Sequence, residues 1–205
     1  MRRTLERRLS EVLPDLLDSF QKGAWLVASE TFTTHGQLRW LLEAESRVLE
    51  AQAHLSPEIA QRRIAVRMDA VERTKHLCDV DPASMEEFDT LRSKLSTANT
   101  GDIEQLLADF CTEIPAEKIQ ARFIVAIADL SACDLPFDLP QFILKDVKIM
   151  ESDPQTKIVA TLAESDVLVC FKIDQDKWKI DALGSLEQLQ QHARVLLQRK
   201  GASPD

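Results

Sequence analysis

The residues of this 205-residue chain that could do chemistry are its four histidines, four cysteines and scattered charged side chains. Their spacing restricts what that chemistry can be. His35 follows Thr33-Thr34, His54 ends a helical pattern and His192 lies on the last one; none has a nucleophile or carboxylate at a meaningful spacing. His76 and Cys78 are two apart, which on a helix places them on different faces. Cys78, Cys111, Cys133 and Cys170 are widely separated, with no C-x-x-C, so neither a zinc site nor a redox pair is expected and all four read as free thiols. Asp174-x-Asp176 lacks the later Gly and Glu of a calcium loop and reads as a hairpin turn. No serine stands in a G-x-S-x-G context. Tyrosine is absent and there are only 5 glycines, which excludes a phenolic proton donor and either common glycine-rich phosphate loop.

Two carboxylates, Asp129 and Asp146, lie near expected interior edges; a lone acid there reads as solvated or as a helix-end or strand-end partner rather than a general base. Arg62, Arg63, Arg67 and Arg73 read as a solvated helix face, with Glu58–Arg62 and Asp69–Arg73 as acid-then-base pairs four residues apart. The competing reading is a patch for a phosphate or an acidic partner. On these grounds no catalytic residue, no metal ligand and no cofactor is expected.

Charge and hydropathy narrow the partners. With 25 Lys+Arg against 34 Asp+Glu the formal charge is −9, which is unsuited to general binding of a phosphate backbone, so no nucleic acid is expected. The basic opening (Arg2, Arg3, Arg7, Arg8) is interrupted by Glu6, Glu11, Asp15 and Asp18 where a signal peptide would be greasy. No apolar run reaches the ~18 residues of a membrane span. The expectation is a cytoplasmic protein without stable membrane insertion.

The elements that must position these residues divide the chain near Ser96–Gly101, a small polar stretch with turn chemistry. Residues 1–98 read as an all-helical module, an antiparallel bundle or hairpin. Leu5, Leu9, Leu13, Leu16 and Phe20 form an apolar stripe on the first helix, although Pro14 interrupts it. A second helix runs from about Gln37 to His54. Ser56-Pro57 is an N-cap followed by proline at the first helical position, and Asp81-Pro82 repeats the device. Residues 99–205 read as an α+β domain. It comprises a helix from Gly101, a second helix begun by Ile114-Pro115, a proline-rich crossing at 134–140, an antiparallel sheet and a C-terminal helix from about Ser185 to Arg199. The sheet is a meander with period-two alternation at Val147/Ile149, Ile158/Ala160/Leu162, Val167/Val169/Phe171/Ile173 and Trp178/Ile180.

Thr100-Gly101-Asp102-Ile103 through Phe110, together with Asp176-Lys177-Trp178-Lys179-Ile180-Asp181, resembles the opening helix and terminal strand of the nuclear transport factor 2-like, or ketosteroid-isomerase-like, superfamily. The resemblance covers residues 97–183. It implies a cone-shaped sheet whose mouth is a ligand pocket in some members and a partner surface in others, and it gives Phe123, Ile127, Val169, Phe171 and Trp178 as candidate pocket lining. The isomerase chemistry of that superfamily uses a tyrosine, which this chain lacks. The functional expectation is a non-enzymatic interaction or scaffold protein. It would bind a protein partner or itself as a homodimer through Leu5, Leu9, Leu13, Leu16 and Phe20. The alternative is a small-molecule-binding or lyase/isomerase-type protein with a pocket in the C-terminal domain.

Overall fold

The computed structural model describes residues 12, 16, 18, 19, 22–78, 86–133, 144–152, 155–162, 168–174 and 177–200. Its helices are α1 (Trp25–Glu30), α2 (Thr34–Ala51), α3 (Pro57–Thr74), α4 (Glu86–Thr97), α5 (Thr100–Glu113), α6 (Ala116–Ala132) and α7 (Leu186–Lys200), with four strands between α6 and α7: β1 (Leu144–Ser152), β2 (Gln155–Leu162), β3 (Leu168–Asp174) and β4 (Lys177–Leu183). The fold class is α+β, as the patterning requires. Of the first-helix stripe, Leu5, Leu9, Leu13 and Phe20 lie outside the described residues, as do Asp81 and Pro82; Leu16 has no exposed surface.

The sheet is the expected meander, in the order β1-β2-β3-β4 and antiparallel throughout. Cross-strand partners such as Phe171↔Ile180 and Ile158↔Phe171 are those the alternation pairs. The free side of β4 takes up residues 31–33 as a short parallel addition, through Thr33 N–H to the Ile180 carbonyl (3.0 Å) and Ile180 N–H to the Thr31 carbonyl (2.8 Å). This addition satisfies edge groups that would otherwise face solvent or another chain.

Helix boundaries follow local chemistry. Ser56 Oγ accepts the Ile59 N–H (3.3 Å) at the start of α3, with Pro57 as its first residue. Thr33 Oγ accepts the Gly36 N–H (3.0 Å) at the start of α2. Glu86, Glu87 and Asp89 place negative charge in the first turn of α4, where the helix dipole favours it. Gln190 and Arg194 of α7 donate to the carbonyls of Leu95, Ala98 and Ser96, closing the other end of α4.

By contacts the chain forms two units: Met1–Gln37 with Phe137–Ser185, and Leu38–Pro136 with Leu186–Asp205. The first holds the sheet, α1 and the start of α2. The second holds the rest of α2, helices α3 to α6, and α7. The change of composition near residue 98 falls between α4 and α5, inside this second unit, because α3 packs on α6 and α4 packs on α7. Its centre is α6, buried on every side from Ala121 to Leu130, as expected of a helix that is apolar all round. Two charged residues, Arg122 and Asp129, interrupt that helix.

Candidate functional site

Within the helical unit, Arg122 and Asp129 of α6 open on one cavity of about 200 Å³. Its lining also includes Glu45, Val48, Leu49 and Gln52 of α2 and the adjoining turn, Arg63 and Arg67 of α3, Arg92 of α4, Val125 and Ala126 of α6, and Leu196 of α7. Four guanidiniums therefore share this space with two carboxylates.

The charges form two clusters, each a carboxylate between two arginines. Glu45 accepts from Arg122 (2.8 Å from Nη2, 3.0 Å from Nε) and from Arg92; Arg92 is also held by Asp89 (2.6 Å), outside the cavity. Asp129 meets Arg63 at 3.3 Å and Arg67 at 3.4 Å. The side chains of Arg92, Arg122 and Asp129 are 9%, 7% and 8% exposed. Burial holds the Arg122 guanidinium below its usual range; Glu45 opposes that shift and neighbouring Arg92 adds to it. The Arg122 guanidinium also stacks over Phe88, 4.8 Å from the ring centroid, a favourable cation–π position. Arg92 Nε is buried with no hydrogen-bond partner among the described residues. Unpaired buried donors of this kind are costly.

Two of the four α3 arginines depart from the solvated face that their sequence pattern suggests, while Arg62 and Arg73 are exposed. Arg63 and Arg67 turn to Asp129, and Arg62 Nε donates to the Ala132 carbonyl at the end of α6 (3.1 Å). The Asp69–Arg73 pair does form on the surface, at 2.8 Å. Asp129 is buried and is held by two arginines from the middle of α3, neither solvated nor bonded to a helix end. Asp146 lies in β1.

Sequence reasoning missed Glu45, Arg92 and Arg122. The signal was present in the apolar stripes. Arg92 shares a helix with Phe88, Leu91 and Leu95, all buried, and Arg122 stands between Ala121 and Phe123, also buried. Glu45 falls one turn beyond buried Leu41 and Leu42 on α2. Charged residues in core positions imply partners across the core, but which partners cannot be read from one helix at a time.

A second polar cluster lies in the sheet unit. Asp181, on β4, accepts from Thr33 Oγ (2.8 Å) and Lys172 Nζ (2.8 Å), while His35 Nδ1 lies 3.3 Å from the Asp181 carbonyl and 3.9 Å from its carboxylate. The fold therefore gives His35 a carboxylate neighbour 146 positions away, which local spacing did not show. This cluster ties the start of α2 to β4.

The five candidate pocket residues do not line the arginine cavity. Phe123 and Ile127 are fully buried in the helical unit; Val169 and Phe171 are fully buried in the sheet unit, where Trp178 is half-buried beside exposed Ile173. No disulfide joins Cys78, Cys111, Cys133 or Cys170, and Cys78, Cys133 and Cys170 are buried. Among the described residues no helix is long and apolar enough to cross a membrane. No protein-family model, curated protein or solved structure matches this chain.

Proposed function

We propose that the protein is a non-enzymatic binding protein whose helical unit takes up a small organic anion. One observation carries this reading: four guanidiniums on the wall of one cavity meet two carboxylates there and a third, Asp89, just outside it, which leaves one positive charge in excess beside Val48, Leu49, Val125 and Leu196. Buried charge of one sign needs compensation, and arginine's fork suits carboxylate or phosphate. The apolar part of the wall suits a carbon skeleton. Binding fits better than catalysis because the lining contains no hydroxyl, thiol or imidazole, and each of its carboxylates is already engaged by two arginines. Four cysteines outside any disulfide fit a reducing, cytoplasmic setting.

The test is thermal melting of the full chain against mono- and dicarboxylates, phosphate and sulfate at constant ionic strength, alongside Arg92→Met. Binding raises the midpoint as ligand concentration passes Kd. At least one anion should raise it in the parent and not in the variant. If no anion in the panel does so, the reading fails.

A protein-interaction role is the second reading, and a specific observation favours it. A pocket of about 210 Å³ between α4 and α5 is lined by Leu91, Leu106, Phe110 and Ile114 together with three acids, Glu87, Asp109 and Glu113, against one base, Lys94, a combination that suits a basic amphipathic segment. Ile64 and Met68, one turn apart on α3, are 61% and 68% exposed and are the surface a homodimer would cover. Sedimentation at micromolar concentration separates the two cases for self-association: a monomer unaffected by Met68→Glu removes the dimer.

A further inference from the structure

The pocket between α4 and α5 carries its charges in an order, and the order specifies a partner. We propose that it docks an amphipathic helix of another protein, one whose basic residues gather toward one end and whose acid stands at the other. This rests on the protein-interaction reading and names the partner for it.

Only Ala98 and Asn99 separate α4 from α5, and the Phe88 and Phe110 rings meet edge to face, 5.1 Å between centroids. Residues at similar distances from the turn thus come together, so the two helices form an antiparallel hairpin. The lining residues recur at helical spacing on both: Glu87, Leu91 and Lys94 on α4, and Leu106, Phe110 and Glu113 on α5. Steps of four and three keep each set on one face. Seven positions span about two turns, or roughly 10 Å. A strip of this kind between paired helices is where the apolar face of a third helix packs.

Along the strip the charge changes sign. Glu87 and Glu113 stand at the end away from the turn, Asp109 follows one turn back on α5, and Lys94 stands toward the turn. All four are exposed, and among the described residues Glu87, Glu113 and Lys94 enter no ion pair. The apolar lining between them includes buried Leu91 and Phe110 and half-buried Leu106. A helix with leucines on one face, lysines over the three acids and a glutamate near Lys94 answers every one of these groups. A small cation would meet the acids and make no use of Lys94 or of the two-turn length.

Fluorescence anisotropy of labelled synthetic peptides with the full chain tests this. The first peptide is an alanine-rich helix of about four turns with leucines at i, i+3 and i+7 spacing, glutamates at one end and lysines at the other. The second has the same composition and leucine positions, with its glutamates and lysines alternating. Equal net charge removes any general attraction to a chain of charge −9 from the comparison. The first peptide should bind saturably and at least about tenfold more tightly, the factor that several surface ion pairs supply together. Replacing its leucines by serine should abolish binding. Glu87→Lys with Glu113→Lys, both at exposed positions, should erase the preference between the peptides. Adding Lys94→Glu restores a strip of two signs with reversed polarity, and should recover part of the binding as the peptide turns end for end. Equal binding of the two peptides to the parent, or a preference unchanged in the double variant, would overturn the assignment and leave the interaction reading standing. Spermine competing as well as the first peptide would overturn it in favour of a small cation. A dimer of the chain that the peptide dissociates would overturn it in favour of a second copy. Failure of every peptide to bind would overturn both this inference and the pocket's part in the reading beneath it.

Discussion

At the scale of single residues, the structure sets close tolerances at two positions. Gly36 lies against β4 so tightly that an added Cβ would stand 2.2 Å from the Ile180 carbonyl oxygen, inside any allowed contact. That oxygen cannot retreat without breaking its bond to Thr33 N–H. Gly36→Ala should therefore destabilise the protein by about 1–3 kcal/mol, the usual range for forced overpacking, measured by urea unfolding; a loss below a few tenths would show that the α2–β4 contact is loose. His192 gives a pH prediction. Burial lowers its pKa below 6.5, with Glu50 opposing and Arg47 adding to the shift. The folded state then binds fewer protons than the unfolded state between the lowered value and 6.5, so stability falls as pH drops through that window and levels off below it. Glu43, raised by burial, acts in the opposite sense above pH 4.5, so comparison with a variant is required to isolate His192. His192→Gln should flatten the acid side of the stability profile between pH 7.5 and 5.5. A parent and variant with parallel profiles would exclude the histidine as the cause.

At the scale of elements, legibility depended on whether the deciding chemistry was local. Ser56-Pro57 and Ile114-Pro115 are readable as helix starts because cap and proline act within four residues, and α3 and α6 begin where they should. The strands are readable because period-two alternation between polar turns has few other solutions. The short α1 was not, since six residues make fewer than two turns and give no periodicity to detect. The arginine cavity was illegible for a related reason: its clusters join residues 45, 92 and 122 across three helices, and 63, 67 and 129 across two. The inward turn of Arg63 and Arg67 depends on the register of α3, and that register begins at its cap. Removing the Ser56 hydroxyl should cost about 1 kcal/mol and loosen any anion that the cavity holds. Chemical denaturation and ligand titration of Ser56→Ala measure both quantities; an intact affinity with the expected loss of stability would separate the cap from the site.

At the scale of the whole molecule, composition and contact divide the chain differently. The shift from arginine-rich helix to lysine-containing sheet suggests modules meeting near residue 98, yet the helical unit takes α5 and α6 from beyond that point and recovers α7 from beyond the sheet. The cause lies in α6. A helix buried on every side for ten residues, Ala121 to Leu130, needs neighbours all around, and α3, which packs directly on it, lies before the compositional boundary. A chain consisting of residues 99–205 would retain α6 but lose α3, together with Arg63 and Arg67, the counter-charges of Asp129. It would also strip α7 of α4, the helix on which it packs. Each large apolar side chain so exposed forgoes about 1.5–3 kcal/mol, against a total stability of about 5–15 kcal/mol for a domain. Residues 99–205 alone should therefore show no cooperative thermal transition. Residues 38–136 joined to 186–200 through a flexible linker should melt as one unit with high helix content by circular dichroism. A cooperative transition in the first chain and none in the second would place the folding boundary at residue 98, where composition changes, and not where the contacts divide.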